Sequence, residues 1–170
     1  MKPVKFLWTI DEISTATNGY LAIGTSEATI TGISIDSRTT LPGDLFVALK
    51  GDTFDGHEFI SIAQKAGARC AMVQKVSSLV DFPQICVPNC LHALHQLALA
   101  GRKRFQGILF GITGSVGKTG SKEMLRHALS KFGRCHASPL SFNNHIGVPV
   151  SLSNLPEDAN FAVQEMGMNA

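Results

Sequence analysis

The hydrophobic and polar positions of this chain follow two spacings in turn, which predicts strands interleaved with helices. Short apolar runs flanked by glycine, proline or polar residues are typical of buried strands, and apolar residues recurring every three or four positions are typical of helices. Strands are predicted at residues 30–36, 44–49, 70–73, 84–87, 107–113, 134–138 and 161–166. Helices are predicted at residues 10–18, 58–66, 88–104, from 118 onward and 147–152. This alternation favours an α/β fold with a mainly parallel sheet.

Two of the predicted helices carry recognisable end signals. The segment Thr9-Ile-Asp-Glu12 is a capping box, and Gly19 is placed to stop the first helix. The third helix ends in Arg102-Lys-Arg104, a basic triplet that suits the negative end of a helix dipole. A nucleic-acid patch is an alternative interpretation of this triplet, but a solvated helix end is favoured.

A glycine-rich segment, GITGSVGKTGSKEM at residues 111–124, carries most of the chemistry of the chain. It begins at the end of an apolar run and leads into a predicted helix. Gly114 and Gly117 allow backbone N–H groups to turn towards an anion, and the helix start adds unpaired donors and partial positive charge. Lys118 can reach the β- and γ-phosphates of a nucleotide, and the Thr119 hydroxyl can ligate Mg²⁺.

The loop departs from the broad phosphate-binding pattern G-x-x-x-x-G-K-[ST], because that pattern needs glycine where Ile112 stands. It contains instead the tighter T-G-S-x-G-K-T. A glycine-rich turn that binds nothing is the alternative, and it is disfavoured because a mere turn does not need Lys118 and Thr119 at these positions. We therefore predict that ATP and Mg²⁺ are cofactors and that Lys118 is catalytic. The predicted ATP-binding residues are Thr113, Gly114, Ser115, Val116, Gly117, Lys118, Thr119 and Gly120.

Composition limits the possible classes of protein. The chain has 170 residues, of which 44% are hydrophobic, so it can form a real core. Its formal net charge is +2 with scattered Lys and Arg, which gives no electrostatic case for a nucleic-acid partner. We predict a small N-terminal α/β domain at residues 1–86, followed at residues 87–170 by the opening of a nucleotide-binding domain with a parallel sheet.

Cysteine usage and the chain start indicate the compartment. Four cysteines are present without a C-x-x-C pair. Cys86 and Cys90, with His92 and His95, are conceivable metal ligands, but ordinary thiols and imidazoles near a helix start are favoured over a zinc site. The first apolar stretch ends too early for a signal peptide, and no apolar run approaches the ~18 residues of a membrane span. Unpaired thiols and the absence of an export signal indicate the cytoplasm.

Several segments resemble the Mur ligases, cytoplasmic ATP-dependent amide ligases of peptidoglycan synthesis. Residues 36–38 (DSR), 42–51 (PGDLFVALKG) and 55–59 (DGHEF) look like the N-terminal domain shared by the third- and fifth-residue-adding enzymes. Residues 113–119 look like the family phosphate loop. Residues 143–149 (NNHIGVP) and 165–169 (EMGMN) look like the branch that adds D-alanyl-D-alanine, whereas relatives adding diaminopimelate or lysine usually show Thr-Thr-Pro in place of the two asparagines.

The resemblance implies an activity and a set of site residues. Such a ligase uses ATP to convert the free carboxylate of a UDP-N-acetylmuramoyl-tripeptide into an acyl phosphate, which the amine of D-Ala-D-Ala attacks. Lys118 is implied to neutralise the γ-phosphoryl oxygens, while Thr119 and Glu165 hold Mg²⁺. Because Glu165 must then reach the metal that Thr119 holds, residues 107–113 and 160–166 are expected to be neighbouring parallel strands. A distance well over ~10 Å between the Glu165 carboxylate and Thr119 Oγ1 would contradict the shared metal. The implied substrate-binding residues are Ser37, Arg38, Asp55, Gly56, His57, Asn143 and Asn144.

Structural alternatives stay open for some of these residues. Glu165 can be a strand-end carboxylate paired to a surface cation. The side chains of Asn143 and Asn144 can satisfy the backbone of their own loop. Arg38 suits a diphosphate because of its forked donors, but it can equally form a turn network with Asp36.

The family has three domains, whereas this chain stops just after the strand that carries Glu165. We therefore expect a fragment that is inactive alone, and a monomer. Gly120 stands where the family usually has Thr or Ser, which costs at most ~1 kcal/mol of helix propensity. The alternatives are a third-residue-adding Mur ligase, a folate polyglutamate synthase, or a non-catalytic fragment that binds UDP-sugar or nucleotide. The segment at 143–149 disfavours the first two.

Overall fold

The computed structural model describes residues 6–78, 80–139 and 142–167. The chain forms two compact units, residues 1–97 and 98–170. This division falls inside a helix, Cys90–Arg104, whereas the sequence places the domain boundary after residue 86. The boundary of the functional domains therefore stays a prediction. Within the described residues, no helix is both long and apolar enough to cross a membrane.

The first unit is built around a five-stranded sheet. Its elements are β1 (Trp8–Thr9), α1 (Ile10–Thr17), β2 (Tyr20–Ile23), β3 (Thr29–Ile30), β4 (Gly32–Ser34), β5 (Asp44–Val47), a 3-10 turn (Gly56–Phe59), α2 (Ile60–Lys65), β6 (Cys70–Val73), β7 (Gln84–Cys86) and the start of α3 (Cys90–Arg104). The sheet order is β2-β7-β6-β5-β4, and only the β2–β7 pair is antiparallel. Strands β1 and β3 form a separate antiparallel pair. The mainly parallel α/β fold is confirmed.

Local sequence explains how these elements begin and end. All four residues of β5 and of β6 are buried, as expected for strands covered on both faces. Helix α1 starts at the predicted capping box: Thr9 Oγ1 accepts from Glu12 N at 3.2 Å, and Glu12 Oε2 accepts from Thr9 N at 2.7 Å. The helix ends one residue earlier than predicted, because Asn18 rather than Gly19 takes the left-handed conformation, with φ 51°.

The second unit contains a three-stranded parallel sheet. Its elements after α3 are β8 (Ile108–Ile112), α4 (Lys118–Leu129), β9 (Cys135–Ala137), α5 (Gly147–Ser153) and β10 (Phe161–Glu165). Strand β10 lies between β8 and β9, with Glu165 opposite Ile112 and Phe161 opposite Cys135. The expectation that residues 107–113 and 160–166 form neighbouring parallel strands is confirmed. A buried cluster of Phe105, Leu155, Ala159 and Ala162, with Leu109 and Leu152 against it, supports one end of this sheet.

The structure differs from the predicted elements mainly where strands are short or exposed. The sequence analysis predicts neither β1 nor β2. β1 has only two residues, and β2 is an edge strand without a fully buried residue, in which Tyr20 is 62% exposed. The single strand predicted at 30–36 is divided into β3 and β4 and ends at Ser34. Residues 168 and 169 of the predicted segment 165–169 lie outside the described residues.

Candidate functional site

The glycine-rich loop joins the end of β8 to the start of α4 in the second unit. Gly117 is the N-cap of α4 with φ 74°, and Gly114 has φ 146°, so both lie in conformations that favour glycine. No side chain caps this helix end. A Cβ added to Gly117 would meet nothing within 4 Å. The first-turn N–H groups of α4 are therefore available to an anion.

Lys118 folds back across this loop. Its Nζ donates to the Gly114 carbonyl at 2.7 Å, and the residue is half-buried. The ammonium thus lies beside the loop backbone, where a bound phosphate would also lie. To bind a phosphate, the Lys118 ammonium would exchange this hydrogen bond to an uncharged carbonyl for a stronger one to an anion.

The predicted metal residues lie together. Thr119 Oγ1 donates to Glu165 Oε2 at 3.0 Å, and Glu165 is 1% exposed at the end of β10. The separation is far below the 10 Å that would contradict a shared metal. Hydroxyl and carboxylate oxygens fit Mg²⁺, which usually takes few protein ligands and completes its shell with phosphates and water. Among the described residues, no group of three or more His, Cys, Asp or Glu side chains is arranged to hold a metal alone.

The two neighbouring asparagines have different contacts. Asn143 Nδ2 donates to Glu165 Oε1 at 2.8 Å, so it holds the second oxygen of the predicted metal ligand. Asn144 Oδ1 accepts from Ile146 N at 3.1 Å and Gly147 N at 2.7 Å, at the start of α5. In the described structure, Asn144 therefore supports its own loop, whereas Asn143 belongs to the Glu165 site. Contact of either asparagine with a substrate stays a prediction.

In the first unit, a cavity of about 520 Å³ collects part of the predicted substrate-binding set. It is lined by Ile35, Asp36, Ser37, Arg38, Phe46, Leu49, Phe54, Gly56, Phe59 and Ile62. Its lining is largely apolar, with Ser37 and Arg38 as the predicted polar contacts. Phe54, which the sequence analysis did not single out, is 72% exposed and offers an aromatic surface at this cavity.

Arg38 is paired with the carboxylate two residues before it. Arg38 Nε lies 2.9 Å from Asp36 Oδ1, and Arg38 Nη2 lies 2.6 Å from Asp36 Oδ2. The Arg38 hydrogen bonds hold the pKa of Asp36 below its ordinary value. The turn network therefore exists in this structure, and the 85% exposed Arg38 side chain must leave or share Asp36 to bind a diphosphate.

Asp55 and His57 line a different cavity from Ser37 and Arg38. This second cavity has a volume of about 600 Å³ and also contains Lys50 and Gln74. His57 Nδ1 lies 2.6 Å from Asp55 Oδ1, and His57 Nε2 accepts from Gln74 N at 2.9 Å. Hydrogen bonds from the His57 backbone and ring lower the pKa of Asp55. Both ring nitrogens are thus engaged within the protein, and a direct substrate contact by His57 stays a prediction.

Comparison with known families agrees with this arrangement. A model of the Mur ligase middle domain matches residues 112–170, which include the Thr119–Glu165 pair. A second model, described as the Mur ligase family catalytic domain, matches residues 29–102. The chain belongs to the Mur ligase family.

Individual Mur ligases with similar sequence and structure are known. A UDP-N-acetylmuramoyl-tripeptide–D-alanyl-D-alanine ligase from Synechocystis is 43% identical over 141 residues, which cover 82% of this chain and 31% of that protein. A crystal structure of MurF from Acinetobacter baumannii has a TM-score of 0.81 and 34% identity, over 95% of this chain and 36% of that one. MurF ligase from Thermotoga maritima, solved with ADP, has a TM-score of 0.64 and 32% identity, over 82% of this chain and 32% of its own. The chain spans about a third of the length of these Mur ligases.

Two residues near Glu165 were missed by the sequence analysis of this Mur ligase. Lys122 is completely buried and donates from Nζ to the Ser138 carbonyl at 2.8 Å. Ser138 Oγ in turn accepts from Glu165 N at 3.2 Å. The spacing of Lys122 from Lys118 was an available signal, since residues four apart share one face of a helix.

Proposed function

We propose that this chain is the N-terminal part of an ATP-dependent amide ligase that joins D-Ala-D-Ala to UDP-N-acetylmuramoyl-tripeptide. The observation that carries the proposal is the pairing of Thr119 with the buried Glu165, 3.0 Å apart beside a glycine-rich loop. Relatives that bear this activity in their names support the choice of substrates. Because the chain spans about a third of their length, the reaction is proposed for the complete ligase.

The reaction is mainly a matter of positioning and charge neutralisation. ATP transfers its γ-phosphoryl group to the tripeptide carboxylate, the D-Ala-D-Ala amine attacks the resulting acyl phosphate, and ADP and phosphate leave. The loop N–H groups bind the phosphates and Lys118 neutralises the γ-phosphoryl oxygens. Thr119 and Glu165 would hold Mg²⁺, which supplies further charge neutralisation when bound.

The first unit is proposed to hold the UDP-sugar. The 520 Å³ cavity brings Ser37, Arg38 and Gly56 together, and the guanidinium fork of Arg38 fits a diphosphate. Asp55 and His57 lie at the neighbouring cavity and support the turn that carries Gly56. Asn143 and Asn144 are proposed to face the peptide end of the substrate. The four free cysteines support a reducing, cytoplasmic setting, and a monomer is proposed.

A second candidate function is that of a binding module for UDP-sugar or nucleotide. Ligation requires the D-Ala-D-Ala amine to be held within ~3–3.5 Å of the acyl phosphate in a closed cleft. Because the family resemblance assigns that task to a further domain of the complete ligase, binding without turnover is the function proposed for the 170 residues alone. We expect no ADP release that depends on both UDP-N-acetylmuramoyl-tripeptide and D-Ala-D-Ala. Substrate-dependent ADP release by the purified chain would contradict this expectation.

Calorimetric titrations of the chain, separately with Mg²⁺–ATP and with UDP-N-acetylmuramoyl-tripeptide, test the proposal. Lys118→Ala is expected to abolish nucleotide binding and leave UDP-sugar binding unchanged, because it removes the loop's cation. Arg38→Ala is expected to weaken UDP-sugar binding alone. Lys131→Ala, at an exposed lysine just beyond α4, is the matched control and should change neither affinity. Equal nucleotide affinity for Lys118→Ala and the parent would refute the proposed role of the loop.

A further inference from the structure

Lys122 is a lysine in an unusual position, in the middle of α4 with no exposed surface. Lysine is almost never fully buried unless it is paired, because moving its charge out of water costs several kcal/mol. Its flanking residues Ser121 and Glu123 are both exposed. The side chain therefore points inward, from a helix whose outer surface is otherwise open to water.

Lys122 is linked to the predicted metal ligand Glu165 both directly and through Ser138. Its Nζ lies 3.8 Å from Glu165 Oε2, the same oxygen that accepts from Thr119. Nζ also donates to the Ser138 carbonyl at 2.8 Å, and Ser138 Oγ accepts from Glu165 N at 3.2 Å. A longer contact, 3.5 Å, joins Nζ to Glu123 at the surface. One ammonium thus contacts both the backbone support and the carboxylate of Glu165.

The carboxylate of Glu165 is fixed on both of its oxygens. Asn143 Nδ2 holds Oε1 at 2.8 Å, while Thr119 Oγ1 and Lys122 Nζ face Oε2. A carboxylate that is 1% exposed has lost most of its hydration, and hydrogen bonds and an opposite charge compensate for that loss. Lys122 is the cation that approaches it within 4 Å among the ion pairs of the described residues.

We propose that Lys122 is a positioning residue that holds the Glu165 carboxylate towards Thr119 and supplies its countercharge before Mg²⁺ arrives. The inference rests on the proposed metal role of Thr119 and Glu165. The competing explanation is that Lys122 only fastens α4 to the end of β9 through the Ser138 carbonyl. The two explanations differ in whether the effect of losing Lys122 depends on the charge of Glu165.

A double-mutant cycle separates these explanations in thermal unfolding of the ligand-free chain. Lys122→Met keeps most of the side-chain volume and removes the charge, and it should lower Tm by about 10 °C, because an uncompensated carboxylate stays buried. Glu165→Gln should lower Tm less than Lys122→Met, because the Lys122 ammonium keeps the Ser138 carbonyl at 2.8 Å and the Glu123 carboxylate at 3.5 Å. The Lys122→Met/Glu165→Gln double variant should recover at least half of the loss, because the buried charge is gone. Lys131→Met, at the exposed lysine, is the matched control and should leave Tm unchanged.

Three outcomes of the double-mutant cycle would overturn the inference. Additive effects, with the double variant no more stable than Lys122→Met, would assign Lys122 to helix anchoring alone. The same conclusion holds if Lys122→Met and the double variant both fail to fold, because removal of the Glu165 charge then does not restore stability. An unchanged Tm for Lys122→Met would equally overturn the countercharge role.

A second measurement distinguishes failure of this inference from failure of the proposed function. Nucleotide affinity is measured by calorimetry with and without Mg²⁺. The increase in nucleotide affinity caused by Mg²⁺ should be at least about tenfold smaller in Lys122→Met than in the parent, since Glu165 is no longer held beside Thr119. The nucleotide affinity measured without Mg²⁺ should be unchanged. A full Mg²⁺ effect in Lys122→Met would overturn the inference. Absence of any Mg²⁺ effect in the parent chain would instead refute the metal site, while the unfolding cycle still decides whether Lys122 and Glu165 are coupled.

Discussion

The glycine-rich loop of the second unit and the Asp36–His57 region of the first unit treat polar groups in opposite ways. In the loop, the start of α4 has no side-chain cap, and Lys118 Nζ donates one hydrogen bond to the uncharged Gly114 carbonyl. In the first unit, Arg38 donates from both Nε and Nη2 to the Asp36 carboxylate. Both ring nitrogens of His57 are hydrogen-bonded within the protein. One region keeps donors available, whereas the other satisfies them internally.

The difference indicates how each region meets its proposed ligand. A phosphate site works best when donors already point at the anion and need no rearrangement. A cavity formed by internally paired side chains has its shape set in advance, but a polar ligand must compete with an existing partner such as Asp36. We therefore expect substitutions in the loop to act mainly on binding, and substitutions in the first unit to act first on stability.

The strongest test of this comparison is the same substitution at a glycine in each region. Gly56→Ala is expected to lower the free energy of unfolding by about 3 kcal/mol, because a Cβ there would lie 2.6 Å from the Leu49 carbonyl oxygen and 2.7 Å from Leu49 N. Both clashing atoms are backbone and cannot rotate away. Urea unfolding measures the change. A loss below about 1 kcal/mol would mean that the turn relaxes and that the cavity is not rigidly shaped.

Gly117→Ala is expected to have a smaller effect on stability and a larger one on nucleotide binding. Its Cβ would meet nothing within 4 Å, so only the left-handed backbone opposes it, at roughly 1 kcal/mol. We expect ATP affinity in calorimetry to fall, because the methyl group occupies the space beside the loop donors. Gly120→Ala is a comparison for stability alone, because Gly120 is also in the predicted ATP-binding set: its Cβ meets nothing either, but it lies within α4, so the substitution should stabilise the chain by up to ~1 kcal/mol. Unchanged ATP affinity in Gly117→Ala would place the phosphates elsewhere.

The smallest effect concerns two carboxylates of the first unit and pH. Burial raises the pKa of Asp44 above its ordinary value of 3.8, while its Oδ2 accepts from Leu41 N at 2.8 Å. As pH rises from 3.8 towards the raised pKa of the folded chain, Asp44 is deprotonated more readily in the unfolded chain, so the parent loses stability. Asp44→Asn keeps an acceptor for Leu41 N and should be more stable than the parent at pH 7, with no difference at pH 3.

Asp36→Asn should show the opposite sign in the same urea measurements. Because the Arg38 hydrogen bonds lower the pKa of Asp36, the stabilisation by this carboxylate is present above pH 3.8 and is lost as pH falls through the lowered folded pKa. The variant should therefore be slightly less stable than the parent at pH 7, and the change should be small because the pair is exposed to solvent. A shift of the same sign for both variants would contradict the assignment of burial to Asp44 and pairing to Asp36.

The sequence predicted the sheet and the loop well because both depend on local patterns. The buried runs of β5 and β6, the capping box at Thr9, and the change from strand to helix at Lys118 are each encoded within a few residues. The pairing of β8 with β10 was predicted differently, from the metal role that the family resemblance implies for Thr119 and Glu165, and the structure has these strands as parallel neighbours.

What the sequence did not reveal are contacts that depend on side-chain direction. Asn143 and Asn144 are adjacent, yet one turns to Glu165 and the other caps its own loop. The sequence predicts Asp55, Gly56 and His57 as one substrate-binding set, but Gly56 lines one cavity while Asp55 and His57 line another. For Lys122 the sequence offers only its spacing from Lys118, which does not specify that the side chain is buried. Such features follow from packing between distant segments, which a periodic pattern does not specify.

The central position of β10 makes the second unit sensitive to insertions and deletions. Neighbouring residues of a strand face opposite sides, so a slip of one position against β8 and β9 would put Gln164 where Glu165 now stands. An amide would then face Thr119 and the buried ammonium, and the site would lose its negative charge. The same slip would move Phe161 to the place of Ala162 in the buried cluster. A change of one residue in the segment between α5 and β10 would thus remove the proposed metal ligand and disturb the core packing at the same time. Length variation in this Mur ligase should therefore be tolerated in surface turns such as residues 51–54 long before it is tolerated ahead of Phe161.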